Sequence, residues 1–379
     1  MDRLDWRHKG YWLPDGPAGD LVGASILDGP FTWPLLVAKD SALRHNIEAM
    51  ARYFHDRGVR HAPHGKTTMA PSLFDAQMRA GAWGLTAATA NQVLVYERFG
   101  VPRVLLANQL LDPRPLAWLA GRERPEVLSY VDSLAGVRAL AAAAGERPFR
   151  VLVELGYTGG RTGCRTVAEL VDVARAAAGT GRVEVAGVAG FEGMLPDADA
   201  VRAFARTLRD AAIAVRDLVP ATLTAPAAPA VPIVSAGGSS YVDIVIDELR
   251  DAGEVLVRSG AYVAHDDGHY AESSRLASTL RPALEVWAQV LSTPEPGLAI
   301  VGMGKRDVPH DLGLPVRLDG EGEVTALNDH HAYLRATGLR PGDLVRFGIS
   351  HPCTAFDRWR AIPIVDDEYR VVDHLHTYF

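Results

Sequence analysis

Between residues 60 and 260, short β-branched runs alternate with longer, alanine-rich amphipathic stretches, and this alternation restricts the possible folds more than any other feature. A strand followed by a helix that returns to lay the next strand alongside builds a parallel sheet. Eight strand-like runs are readable: Arg60 to His64, Gly84 to Ala87, Arg103 to Ala107, Val127 to Val131, Arg150 to Glu154, Val183 to Ala189, Val231 to Ser235 and Glu254 to Arg258. Helical patterns fill the gaps at Thr68 to Arg79, Ala90 to Phe99, Pro113 to Ala120, Ser133 to Ala143, Thr166 to Ala178, Ala198 to Val219 and Ser240 to Ala252. Eight such units in roughly 200 residues match the smallest (β/α)8 TIM-type barrel. An open doubly wound sheet would carry the same alternation.

Past residue 262 the pattern changes to alternating strands with turn signals, as at Ala283 to Leu291, Gly297 to Val301, Leu344 to Phe347 and Tyr369 to Val372. Leu35 to Val37 would be a ninth barrel strand, so it is expected to join this mainly-β second domain, with Ser41 to Arg57 as the helix leading into the barrel. The expected division is a barrel over 41–262 and a β-rich domain from 1–40 and 263–379. The run from Pro220 to Pro232 reads as an extended loop before the seventh strand.

A net charge of −7 provides no basic footprint for nucleic acid. The uncharged run Val219 to Val242 carries Pro220, Pro226, Pro229 and Pro232, which argues against a membrane span. No apolar h-region follows the charged opening, so a cytoplasmic protein is expected. Cys164 and Cys353 are too few for a disulfide framework.

The chain has four lysines, Lys9, Lys39, Lys66 and Lys305, so any lysine chemistry belongs to one of them. Ligands of such barrels bind on the loops after the strands. Lys66 stands in His64-Gly65-Lys66-Thr67, directly after the first strand. A lysine partly desolvated there loses proton affinity and becomes a usable nucleophile and base, suited to a Schiff base. After the seventh strand, Ser235-Ala236-Gly237-Gly238-Ser239 leads into a helix; glycines let the backbone approach an anion, and serines add donors. With Gly260 and Tyr262 after the eighth strand, this is the usual place for a phosphate in phosphate-binding barrels. A rim lysine and a phosphate cradle together suit pyridoxal phosphate (PLP). Arg161, after the fifth strand, could face the pyridine nitrogen, and Glu192, after the sixth, could line the pocket. Each of these also fits a structural ion pair.

In the second domain, His351 and Cys353 are two apart and could share a Zn2+ or another divalent cation, with water, substrate or a side chain such as His331 completing the set. A buried cysteine beside a surface histidine fits the same two residues. The tract His265 to Tyr270 could line an active-site mouth, a subunit interface or a hydrated loop, while Lys305 reads as structural or as a rim contact.

Pro63-His64-Gly65-Lys66-Thr67, the Gly-Arg-Thr-Gly around Arg161, the Ser235 to Ser239 loop, Arg258-Ser259-Gly260-Ala261-Tyr262 and His351-Pro352-Cys353 together resemble the alanine-racemase-like (fold-type III) PLP enzymes, and within them the D-serine dehydratase and D-threonine aldolase group. The resemblance implies a homodimer with active sites near the subunit interface and a lyase acting on small D-amino acids. It implies that Lys66 carries the cofactor, Arg161 faces its ring nitrogen, and Ser235, Gly237, Gly238, Ser239, Gly260 and Tyr262 surround its phosphate. A cysteine at 353, where the aldolases typically carry aspartate, favours D-serine dehydratase-like release of ammonia and a 2-oxo acid. Retro-aldol cleavage of D-threonine or 3-hydroxy-D-aspartate to glycine and an aldehyde is the alternative, ahead of a non-catalytic PLP carrier. The tract His265 to Tyr270 with Lys305-Arg306-Asp307 resembles members described as amino acid deaminases.

Overall fold

The structure, a computed structural model, describes residues 3–17, 19–220 and 231–379, so most of the expected Pro220 to Pro232 loop lies outside the described residues. The chain forms two compact units, one of Ala51–Lys66 and Gln77–Gly260, the other of Met1–Met50, Thr67–Ala76 and Ala261–Phe379. In chain order the first elements are β1 (Leu35–Lys39), α1 (Asp40–His55), β2 (Arg60–His61), α2 (Pro71–Arg79), β3 (Leu85–Ala87), α3 (Ala90–Arg98), β4 (Arg103–Gln109) and α4 (Pro113–Ala120). They continue with β5 (Glu126–Val131), α5 (Leu134–Ala143), β6 (Phe149–Leu155), α6 (Val167–Gly179), β7 (Val183–Gly190), α7 (Ala198–Ala214), β8 (Ile233–Ala236), α8 (Val242–Leu249) and β9 (Glu254–Val257).

Strands β2 to β9 form one eight-stranded sheet in the order β2-β9-β8-β7-β6-β5-β4-β3, with every pairing parallel. The two end strands also meet: Trp83 N–H donates to the His61 carbonyl and Thr86 N–H to the Pro63 carbonyl, both at 2.8 Å, and His64 bridges to Thr86. Pro63 has no N–H, so the ladder is broken there and β2 is short, yet its carbonyl still closes the ring. Ala62, Leu105, Leu128, Tyr130, Leu152, Ala186, Ala189 and Leu256 fill the interior, which makes it a packed core rather than a channel. The eight expected strands are all present, and the barrel reading prevails over the open sheet.

Short polar residues at the strand-to-helix turns start the helices. Thr89, Asp112, Ser133, Thr166 and Asp197 each accept a backbone N–H of the helix they precede, and Thr166 with Glu169 forms a capping box. On α7, Val201, Phe204, Ala205, Leu208, Ala211 and Ala212 are buried at the three-and-four spacing of one helical face. The first barrel helix begins at Pro71 rather than Thr68, since the residue before a proline avoids helical backbone and Gly65–Thr67 forms a separate 3-10 turn.

The other unit adds α9 (His269–Ser273), β10 (Leu284–Glu295), β11 (Leu298–Val301), β12 (Val316–Arg317), β13 (Glu323–Leu327), β14 (Ala332–Arg335), β15 (Leu344–Gly348), β16 (Ala361–Val365) and β17 (Val371–His376). Its sheet runs β13-β14-β11-β10-β1-β16-β17, with β15 on β10 and β12 on β15. Along β10, Leu284, Val286, Ala288 and Val290 are buried on alternate positions, the period of a strand with one face in the core. As expected, β1 joins this sheet, antiparallel to β10 and parallel to β16. Among the described residues no helix is long and apolar enough to cross a membrane.

His61 is buried beneath the strand ends, with Nε2 2.9 Å from the Ser259 carbonyl, and burial lowers its pKa to about 4. A neutral imidazole in the fold and an ordinary one in the unfolded chain give stability that is complete above pH 6.5 and is lost as the pH falls through 4. Urea unfolding should lose up to about 3 kcal/mol from this group between pH 7 and pH 4. His61→Gln should flatten that part of the profile; an unchanged slope would contradict the assignment.

Candidate active site

Lys66 sits in the 3-10 turn Gly65–Thr67 at the end of β2. Its side chain is exposed, not partly desolvated as the sequence suggests, because the turn carries it to the rim while apolar side chains fill the barrel. Of the other lysines, Lys9 is paired with Asp307 at 3.0 Å and lies 3.9 Å from the centre of the Trp359 ring. Lys39 lies 4.1 Å from the Tyr369 ring centre and 3.6 Å from Asp367. Lys305 is exposed in the β-rich unit.

The strand ends around Lys66 are cationic. His64 Nδ1 is buried without a hydrogen-bond partner among the described residues, and the pKa of His64 falls well below the ordinary value, first through burial and then through Lys66, Arg258 and Arg161. Arg258, at the end of β9, is 6% exposed; it donates to Ser235 Oγ at 2.8 Å and to the Gly190 carbonyl at 2.7 Å. The Ser235 hydroxyl in turn donates to the Leu256 carbonyl, so Arg258 and Ser235 together tie β7, β8 and β9 to one another. Arg161 is exposed, with its guanidinium 4.4 Å from the centre of the Phe191 ring. Arg165 holds the Arg161 loop by donating to the carbonyls of Gly160, Thr162 and Gly163. Glu154, buried at the end of β6, accepts from Gln109 and Thr162, and burial raises its pKa.

The loop after β8 is an oxyanion cradle. Gly237 has φ +92°, a conformation that favours glycine, and the N–H groups of Gly237 and Gly238 converge on the Glu192 carboxylate. Ser259 Oγ braces the loop from below through the Gly238 carbonyl at 3.0 Å. Gly260 packs against His64, where a Cβ would lie 2.5 Å from the His64 carbonyl oxygen. An anion already bound by paired N–H donors, with cationic side chains at the adjoining strand ends, fits the phosphate and ring of PLP. One unit thus brings together Lys66, Arg161, Glu192, Ser235, Gly237, Gly238, Ser239 and Gly260. Tyr262 belongs to the other unit, buried in the 3-10 turn Ala261–Val263.

In the β-rich unit, His351 Nδ1 is 2.9 Å from Asp311 Oδ2, and Thr354 donates to Asp311 Oδ1 at 2.9 Å. Burial opposes the charge on His351, but Cys353 and Asp311 outweigh it and push the pKa up to about 9. Thr67, the residue after Lys66, donates its hydroxyl to Cys353 Sγ at 3.8 Å. Among the described residues no group of three or more His, Cys, Asp or Glu is gathered for a metal, and His331 is exposed in the turn before β14. The donors are therefore a thiol and an imidazole whose Nδ1 is committed to a carboxylate, which leaves Nε2 as the metal-facing atom; this pair suits a soft divalent cation with open positions.

The tract His265 to Tyr270 is no hydrated loop. His265 and Asp266 are buried, Asp266 Oδ1 accepts from the N–H groups of Gly268, Tyr270 and Ala271, and the rings of His269 and Tyr270 lie 5.8 and 5.7 Å from that of His351. The sequence gives no signal for Asp311 or Glu154, and no role is read from it for Thr67, His64 or Arg258. The last three lie inside the quoted motifs, whereas Asp311 follows Pro309 and His310 in an unpatterned stretch with no signal of its partner.

Arg258→Ala should destabilise the barrel by about 2 to 4 kcal/mol, because the Gly190 carbonyl and Ser235 hydroxyl lose a charged donor inside the fold. Arg258→Lys should restore only part, since an ammonium lacks the fork that reaches both. Denaturant unfolding of the two variants measures this, and near-equal stability of Ala and wild type would refute it.

Residues 39–260 match the family model for the alanine racemase N-terminal domain, and residues 283–365 match that for a putative serine dehydratase domain. The chain is 28% identical over 316 residues to a 3-hydroxy-D-aspartate aldolase of Paracoccus denitrificans (strain Pd 1222), covering 81% of this chain and 79% of that one. It is 28% identical over 336 residues to a D-threo-3-hydroxyaspartate dehydratase of Delftia sp. (strain HT23), covering 82% and 86%. The crystal structure of D-threonine aldolase from Filomicrobium marinum shares the fold, with a TM-score of 0.80 at 23% identity over 95% of this chain and 98% of that one. With the match spanning the whole barrel, the chain belongs to the alanine racemase N-terminal domain family of fold-type III PLP enzymes.

Proposed function

We propose that the protein is a PLP- and divalent-metal-dependent lyase of D-β-hydroxy amino acids that removes water to release a 2-oxo acid and ammonia. The observation that carries the cofactor reading is the pair of N–H donors at Gly237 and Gly238, already holding a carboxylate, in the same unit as the cationic side chains Lys66, Arg161 and Arg258. When bound, PLP supplies an electron sink that weakens the bonds at Cα of an amino acid joined to it. Lys66 would hold the cofactor aldehyde at Nζ, and the same amine is the base that would accept the Cα proton. Ser239 and Gly260 would complete the phosphate surroundings begun by the glycine pair, with Ser235 bracing the loop through Arg258. Arg161, its guanidinium carried on the Phe191 ring, is the side chain that would face the ring nitrogen and disfavour its protonation.

His351 and Cys353 hold a divalent cation, for which thiolate and imidazole favour Zn2+, and it supplies Lewis acidity for a poor leaving group such as hydroxide. Asp311 fixes the proton of His351 on Nδ1, so that Nε2 keeps its lone pair for the metal. The cysteine at 353 supports elimination. Similarity to a 3-hydroxy-D-aspartate aldolase favours a second reading, cleavage of the Cα–Cβ bond to glycine and an aldehyde. The active form is proposed to be a homodimer, a reading supported by the exposed Trp6, Trp12, Val22 and Leu27 near the N-terminus.

The holoenzyme should release ammonia and a 2-oxo acid from D-serine, D-threonine or 3-hydroxy-D-aspartate, scored against glycine plus aldehyde. Glycine as the sole amino acid product would overturn elimination in favour of the aldolase, and release of neither set would leave a PLP carrier. Lys66→Ala should abolish both turnover and the visible absorbance of lysine-bound cofactor; a persisting band would contradict the role of Lys66. For the metal, Asp311→Ala should weaken Zn2+ binding by about 10- to 100-fold in calorimetry. Asp311→Asn should lose less, because its amide oxygen still accepts from Nδ1, whereas equal affinity in Asp311→Ala would remove Asp311 from the metal centre.

A further inference from the structure

Glu192 is fully buried, and both carboxylate oxygens are spent on main chain: Oε2 on the Gly237 N–H at 3.2 Å and Oε1 on the Gly238 N–H at 2.5 Å. Among the described residues no cationic side chain pairs with it. A buried carboxylate normally has a charged partner or several donors. Here two backbone N–H groups take that part, and they are the donors that a phosphate at the end of β8 would use. A phosphate monoester and a carboxylate offer the same anionic oxygens to such donors, and both cannot occupy one pair of N–H groups.

We propose that Glu192 is a built-in stand-in for the cofactor phosphate: its carboxylate closes the glycine cradle in the cofactor-free chain and leaves when the phosphate enters. The inference rests on the reading of Ser235 to Ser239 as the phosphate site. Loading is then an exchange of one anion for another. The exchange keeps buried N–H groups satisfied before and after, which an open cradle would not. It also makes loading slower than in a chain with an open cradle. The segment suits such a swing, since Glu192 lies between Gly190 and Gly193, two residues either side of Phe191 and Glu192 that restrict the backbone least.

The test uses apoenzyme of the wild type, Glu192→Gln and Glu192→Ala. Inorganic phosphate binding is measured by calorimetry and PLP association by stopped-flow absorbance, neither of which depends on turnover. Phosphate affinity and PLP association rate should rise on the order of ten-fold in Glu192→Ala, the factor that corresponds to one net charge-assisted hydrogen bond. The isosteric Glu192→Gln, which keeps a neutral acceptor and the packing, should fall between. Unchanged or weaker phosphate binding in both variants, with borohydride-fixed cofactor still on Lys66, would overturn the stand-in role and leave the cofactor site intact. Cofactor fixed on a residue other than Lys66 would instead defeat the site reading, and the inference with it.

Discussion

The short set of hydrogen bonds that joins β2 to β3 holds the chemistry in place. Parallel strands β2 to β9 would otherwise form an open sheet with two free edges. Backbone donors from Trp83 and Thr86 to the carbonyls of His61 and Pro63 close it into a ring. That closure fixes the end of β2, and the next turn carries Lys66. Proline at 63 cannot donate, so only its carbonyl serves the seam; His61, buried and neutral, ties the same strand to β9 through Ser259. A packed apolar interior leaves the polar residues one place to gather, the loops at the carboxyl ends of the strands.

At those ends the electrostatics are unevenly shared. Burial first, and then three cationic side chains, lower the proton affinity of His64, while one carboxylate is buried in a pair of glycine N–H groups. This is a field prepared for an anionic, planar cofactor, with Arg258 as its structural brace and Arg161 as its exposed arm. The β-rich unit builds its pair differently. Asp311 and Thr354 orient His351, and the rings of His269 and Tyr270 flank it, so a short motif of two donors gains a supporting shell from distant segments.

The barrel was legible because its signals are local. Most strands are runs of Val, Leu or Ala bounded by a turn, and α3 to α7 are each announced by a Thr, Ser or Asp that caps them, so strands appear within a few residues of their expected limits. In the β-rich unit β10, β11, β15 and β17 were readable, but β12, β13, β14 and β16 were not. Two-residue β12 has no period to detect, β13 is mostly exposed, and β16 is buried along its length, without the alternation that marks a half-buried strand. Of the site, the residues inside Gly- and His-containing motifs could be found by spacing. The exposure of Lys66, the Glu192 contacts and the Asp311–His351 bond could not, because each depends on segments tens of residues apart meeting in space.

The central claim is that one rim amine among four lysines carries the cofactor. Borohydride reduction of PLP-loaded protein followed by peptide mass mapping tests it most directly. The account predicts a single pyridoxyl mass on the peptide containing Lys66, with Lys9, Lys39 and Lys305 unmodified. Label on any of those three, or none on Lys66, would contradict it.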